Sequence, residues 1–320
     1  MKAIRVHEFG GPEKLLLEDI PDLRPGKGEA LVRIHAAGVN PVETYIRAGA
    51  HAVKPNLPYT PGTDGAGEVL SVGEGVQRVK PGERVYVAGS ITGTYAQQSL
   101  CREAQVYPLP KQVTYQQGAA LGVPYATAIR ALFQKAHGLP GESVLIHGAS
   151  GAVGVAAIQL ARAHGMFVIG TAGTEKGLGL VRELGAHHAF DHNAPDLVER
   201  VMKVTGGRGV NVILEMLANK NLVKDLGMIS VRGRIAVIGN RGTIEINPRD
   251  AMMRDASILG VFLFNTSEPE MASIHAGLGA ALQFGIAKPV VRQEIPLADA
   301  KRAHVAVLEP GSYGKIVLIP

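Results

Sequence analysis

One cysteine, Cys101, stands among the 320 residues, so the chain forms no internal disulfide and no structural zinc site built on four thiolate or imidazole ligands. A cytoplasmic protein is expected on that ground. No stretch reaches the roughly 18 uninterrupted apolar residues of a membrane span, and Met1 to Val6 enters an alternating strand pattern without the apolar core of a signal peptide. No membrane partner is expected. Charge of one sign is scarce as well: 33 Lys and Arg against 28 Asp and Glu leave +5, which favours anionic ligands but fits a solvated surface equally well. The 40 glycines and 19 prolines follow no period, which excludes collagen and low-complexity arrays and points to many tight turns. With 46% apolar and 19% charged residues the chain is globular, and its length predicts two domains.

The first 120 or so residues read as short strands at 3–6, 15–17, 30–36, 67–72, 84–88 and 95–100, separated by Gly and Pro turns, as in a compact barrel. From 122 to 262 the texture changes to apolar strands alternating with helices, the pattern of βαβ units around a parallel sheet. Six strands are expected there, at 144–147, 167–171, 188–190, 210–214, 234–238 and 258–262, a full doubly wound set. The helix at 153–164 should stop at Gly165 and the next at Gly185. Beyond 265 come a helix at 270–284, a turn at Lys288-Pro289, an amphipathic segment at 297–308 and a strand at 315–319 that rejoins the first domain. The expected domains are therefore 1–121 with 266–320, and 122–265.

Between the first strand of the second domain and its helix lies Gly148-Ala149-Ser150-Gly151-Ala152-Val153-Gly154. Ala149, Gly151 and Gly154 follow the dinucleotide fingerprint, with alanine at its first glycine. Gly151 lets backbone approach a pyrophosphate, Gly154 lets helix and strand pack closely, and the helix N-terminus faces the phosphates. A tight strand-to-helix turn with no ligand is the plain alternative. A second is a nucleophile elbow on Ser150 with Asp191 and His192, although Ala152 breaks that motif. An NAD site places Asp or Glu at the end of the second strand. Here Gly173 and Thr174 stand there and Lys176 follows within reach of a 2′-phosphate, so NADPH is the expected cofactor. Glu175 beside it reads as a helix-start residue. No metal is expected: Asn40 occupies a place suited to a thiolate, residues 61–68 contain no histidine, and the remaining histidines are scattered without a matched carboxylate.

Residues 40–47 (NPVETYIR), 58–62 (PYTPG), 147–154, 170–175 (GTAGTE), 215–219 (EMLAN) and 241–250 (RGTIEINPRD) together resemble the zeta-crystallin family of quinone oxidoreductases, in the medium-chain dehydrogenase/reductase superfamily. The resemblance spans essentially the whole chain, and the run at 244–250 is more specific than the glycine loop. It implies an α/β protein, a GroES-like β-barrel domain plus a Rossmann domain, that reduces quinones with NADPH in the cleft between them and without zinc. On the same resemblance Tyr45 flanks the nicotinamide, Ser150, Gly151, Ala152 and Val153 hold the pyrophosphate, and Gly173 and His192 line the ribose and adenine. Asn221, Ile238, Gly239, Asn240, Arg241, Val261, Phe262 and Leu263 complete the groove. Asn40 and Tyr45 are the candidate catalytic residues, hydrogen-bonding a quinone oxygen as charge develops. Ala152 and Asn240 depart from the glycine and serine common in the family, which bears on cofactor affinity. The resemblance further implies ortho-quinones, one-electron reduction to semiquinones, a homotetramer, and, in some members, binding of AU-rich mRNA or accumulation as a lens protein. RNA contacts here would run to the phosphate backbone, since no RNP-like aromatic motif is present.

Overall fold

The computed structural model describes every residue except 53 and 312. The chain divides into two compact units, Met1–Val123 with Lys288–Pro320, and Pro124–Ala287. In the first unit the strands are β1 (Lys2–Arg5), β2 (Leu16–Asp19), β3 (Glu29–Val39), β4 (Asp64–Val72), β5 (Arg84–Ala88), β6 (Gln98–Arg102) and β7 (Val106–Pro108). The second unit contributes β8 (Ser143–Ile146), β9 (Phe167–Ala172), β10 (His188–Asp191), β11 (Val210–Glu215), β12 (Ile229–Val237) and β13 (Ser257–Gly260). The chain then returns to the first unit with β14 (Val291–Pro296) and β15 (Lys315–Ile319).

The long β3 is the trunk of the first unit. Its sheet runs β14-β15-β3-β4-β5-β7 with β6 also on β3, while β1 and β2 pair separately. Nearly every β3 side chain after Glu29 is buried or half-buried, because Val, Ile and Ala project from both faces into apolar surroundings. The returning β15 lies antiparallel to β3, with Ile316 opposite Val39 and Leu318 opposite Ala37. That pairing satisfies the expected return and carries Lys315 to the buried end of β3. Cys101 lies in the same core as Val32, Val69 and Val85, and burial pushes its thiol up to about 12. A thiol reagent should accordingly leave the native protein unlabelled and modify one thiol only on denaturation. Rapid labelling of the native chain would contradict this burial.

In the second unit all six strands are parallel and run β10-β9-β8-β11-β12-β13. This is the dinucleotide-binding order, and it reverses direction between β8 and β11, where such folds open a crevice at the strands' carboxyl ends. The helix Ala152–Ala163 buries Val155, Ala156, Ile158 and Leu160, and the chain leaves it through Gly165 at φ +79°. The next helix, Glu175–Glu183, leaves through Gly185 at φ +91°. Among the described residues no helix is long and apolar enough to cross a membrane.

Several boundaries differ from expectation. The strand placed at 95–100 begins at Gln98, because Tyr95 instead accepts the Ile4 N–H in an isolated bridge at 2.8 Å. β7 and β14 lie outside the expected strands; β14 is a polar edge strand without an alternating signature. The chain re-enters the first unit at Lys288 rather than at 266. The reason is the helix Glu268–Gln283, whose buried Ile274, Leu278 and Leu282 belong to the second unit. Its Glu270 carbonyl accepts from Gln134 at 3.0 Å and its carboxylate pairs with Arg130 at 3.2 Å.

Candidate functional site

β8 ends at Ile146, and residues 147–150 turn the chain into the helix whose N-cap is Gly151. No side chain caps this helix and no acid stands in its first turn. The first-turn N–H groups of Ala152, Val153 and Gly154 have no carbonyl within the helix to bond, and the dipole leaves that end partly positive. A Cβ on Gly154 would lie 2.5 Å from the Ala149 Cα, so only glycine permits this approach. Next along the sheet, β9 ends at Ala172. A Cβ on Gly173 would meet His192 Nε2 at 2.6 Å, which brings together the two residues expected to line a ribose and adenine. Thr174 caps the following helix by accepting from the Gly177 N–H at 3.1 Å. Lys176 is exposed, and the Glu175 carboxylate, 86% exposed, lies 3.9 Å from Arg182.

The remaining predicted groove residues fall after β11, β12 and β13, at the same edge of the sheet. Asn221 Nδ2 donates to Glu215 Oε1 at 3.1 Å. Asn240 is occupied by its own loop: its Oδ1 accepts from the Asn219 N–H at 3.0 Å and its Nδ2 donates to the Gly242 carbonyl at 2.6 Å. Arg241 N–H donates to Asn219 Oδ1 at 3.0 Å, locking the two loops together. Val261 is buried and tied to β12 through the Val237 carbonyl at 2.9 Å, whereas Phe262 is exposed. Those two residues line, with Val237, Arg130 and Lys135, a pocket of about 320 Å³.

Sequence reasoning missed a cluster directly beneath the loop. His147, which immediately precedes Gly148, is buried; its Nε2 is 2.8 Å from Asp225 Oδ1 and 3.5 Å from Glu215 Oε2. Its Nδ1 is 3.4 Å from Thr171 Oγ1. The expectation that every histidine lacks a matched carboxylate is therefore corrected: 78 residues separate His147 from Asp225, and no local spacing marks the pair. Burial pushes both carboxyls up to about 7 and lowers His147 below the usual imidazole range. The resemblance runs at 147–154 and 215–219 contain His147 and Glu215 but do not join them.

The first unit holds a second buried polar network around Asn40. The Asn40 Nδ2 donates to Asp64 Oδ2 at 3.0 Å and to Glu43 Oε1 at 3.3 Å, and its Oδ1 accepts from Lys315. Lys315 Nζ also lies 3.0 Å from Asp64 Oδ2, with the two side chains 2% and 0% exposed. Glu43 Oε2 accepts from the Asn40 N–H at 2.8 Å and from the Tyr95 hydroxyl at 2.7 Å, and Tyr95 meets His304 Nε2 at 3.2 Å. Burial raises Glu43 against the pull of Lys315 and lowers His304 to about 3. Asn40, 3% exposed, thus spends its amide inside the protein. Asn40 is also the N-cap of the helix Pro41–Arg47, which carries the half-buried Tyr45, the other expected catalytic residue.

Two family models match the chain, an alcohol dehydrogenase GroES-like domain over residues 26–111 and a zinc-binding dehydrogenase over residues 152–276. The chain is 49% identical to quinone oxidoreductase from Rattus norvegicus and 47% identical to that of Homo sapiens, each covering 100% of this chain and 98% of the relative. The crystal structure of Escherichia coli quinone oxidoreductase complexed with NADPH superposes with a TM-score of 0.90 at 30% identity, covering 100% of both chains. Zinc, named by one model, does not fit the residues around Asn40. Their donors are an amide, a hydroxyl and two carboxylates that satisfy one another, and the Lys315 ammonium already neutralises Asp64. With both units and the full length matched, the chain belongs to the zeta-crystallin-like quinone oxidoreductase family of the medium-chain dehydrogenase/reductase superfamily.

Proposed function

We infer that this chain is an NADPH:quinone oxidoreductase whose cofactor phosphates lie against the loop 148–154. The observation that carries the reading is the uncapped helix N-terminus behind Gly151 and Gly154, with no carboxylate where β9 ends. A fixed array of N–H donors with a partial positive charge suits a pyrophosphate. Gly154 holds the helix close enough to the strand to aim that array, and Ser150, itself buried, closes the turn. The residues present therefore fit the cofactor.

When bound, the reduced nicotinamide supplies the electrons, and a quinone is already a strong acceptor. The chain's own task is to bind and orient. Gly173 leaves room beside His192, Lys176 offers an ammonium to the 2′-phosphate, and the exposed Glu175 lies near Arg182. Ortho-quinones reduced one electron at a time are the finer reading, supported by the family resemblance.

Stopped-flow oxidation of NADPH and of NADH against an ortho-quinone tests the whole reading. NADPH should be strongly preferred, and failure to oxidise either would defeat it. The variant Lys176→Ala should weaken NADPH by about tenfold, the 1.4 kcal/mol of one charge-assisted contact, and leave NADH unchanged. Equal losses for both nucleotides would remove Lys176 from the 2′-phosphate.

A further inference from the structure

The buried cluster under the phosphate loop is given no contact with the cofactor in the reading above, yet its geometry is unusual. Among the described residues, Glu215 Oε2 and Asp225 Oδ2 are buried without a hydrogen-bond partner. An imidazole nitrogen of His147 and one carboxylate oxygen each of Glu215 and Asp225 lie within 4.8 Å of one another. Two ionised carboxylates offer only acceptors to one another, so these two oxygens, away from water, are left without a donor. A proton on one of them converts mutual repulsion into an O–H···O bond and satisfies both atoms.

We propose that His147, Asp225 and Glu215 share protons as one unit, and that NADPH binding at the loop above draws a proton into it. This rests on the cofactor reading given above. The connection is short, because His147 is covalently joined to Gly148 at the start of the loop. On the other side, Glu215 Oε1 accepts from Asn221 Nδ2 at 3.1 Å and from the Leu217 N–H, so the same carboxyl holds the groove segment after β11. Glu215 is thereby a positioning residue whose charge follows the shared proton. The other groups facing the cluster are Thr171 from β9, Lys224 on the helix Ala218–Met228, and His192 after β10. Phosphates arriving above the cluster add negative charge, which favours its protonated form. By reciprocity, a protonated cluster favours the nucleotide. Affinity therefore falls as pH rises.

Titration calorimetry of the full chain with NADPH, in pairs of buffers differing in ionisation enthalpy, reads the coupling directly. The wild type should take up protons on binding, and its apparent Kd should rise by up to tenfold per pH unit, the limit of about one proton. Glu215→Gln and Asp225→Asn, each nearly isosteric, should lose that uptake. The titration of the 2′-phosphate itself is common to all three proteins and cancels in the comparison. Binding with no uptake in the wild type, or with equal uptake in both variants, overturns the proposal. No binding of NADPH at any pH overturns the cofactor reading instead. Should both variants fail to fold, an infrared difference spectrum of the wild type with and without NADPH decides. It should gain protonated-carboxyl or imidazolium bands, and no gain overturns the proposal.

Discussion

Replacing Lys315 with methionine should destabilise the first unit by about 3–5 kcal/mol, the cost of leaving a buried charge without its partner. The ammonium is 2% exposed and is 3.0 Å from Asp64 Oδ2, a carboxylate that is 0% exposed. Methionine retains the packing volume, so the loss reports charge and hydrogen bonding rather than a cavity. Glu43, raised by burial and held down by Lys315, follows the same change. Its folded-state affinity for a proton already exceeds the unfolded one, and loss of the ammonium increases that difference. The folded variant then binds more protons than the unfolded chain, so its stability declines as pH rises above the ordinary carboxylate range and recovers as pH falls. Denaturant midpoints at acid and neutral pH should show the gap to wild type narrowing in acid. Adding Asp64→Asn should restore part of the loss. Midpoints indistinguishable from wild type at both values would mean that the pair contributes nothing.

Placing a carboxylate at the first residue of the loop helix should separate binding from stability. Ala152→Glu puts a negative charge at a half-buried position in the first turn, where the helix dipole welcomes an anion by about 0.3–1 kcal/mol. Folding should therefore be unchanged or slightly improved. The same carboxylate would face the pyrophosphate, and repulsion there should raise the Kd for NADPH by about 100-fold, or about 2.7 kcal/mol. NADH should lose as much, since both nucleotides carry the pyrophosphate, which distinguishes this variant from Lys176→Ala. Fluorescence titration with each nucleotide, alongside thermal melting, measures both effects. Retained affinity in a folded variant would move the phosphates away from this helix.

What the sequence made legible is what short stretches of chain decide. β8, the turn and the helix behind it follow from an apolar run, a set of glycines and a helical period, and Gly165 and Gly185 end their helices as left-handed caps. Membership of a strand in its sheet was harder where polar residues dominate, as in β14. The helix Glu268–Gln283 looks the same in sequence whichever unit it covers, and only the core that receives Ile274 and Leu278 decides the boundary. Hydrogen-bond saturation is invisible in the same way. Asn40 reads as an available amide until Lys315, 275 positions away, is found on its carbonyl oxygen. Nothing local in the sequence joins Glu215 and Asp225 to His147; only the sheet and the following helix bring the three together.

The discontinuity of the first unit has a consequence for biosynthesis. Residues 124–287 form their unit from one uninterrupted segment, whereas Met1–Val123 must wait for Lys288–Pro320 before β14 and β15 complete its sheet. At ordinary translation speeds of about 5–20 residues per second, Lys315 emerges roughly 10–40 s after Val123. Through that interval the nascent chain has Asp64 and Glu43 without their counter-ion and residues 37–39 of β3 without their β15 partners. The ribosome thus delivers a nucleotide-binding half that is ready to fold before the half preceding it, and that earlier half is the one exposed to chaperones and proteases.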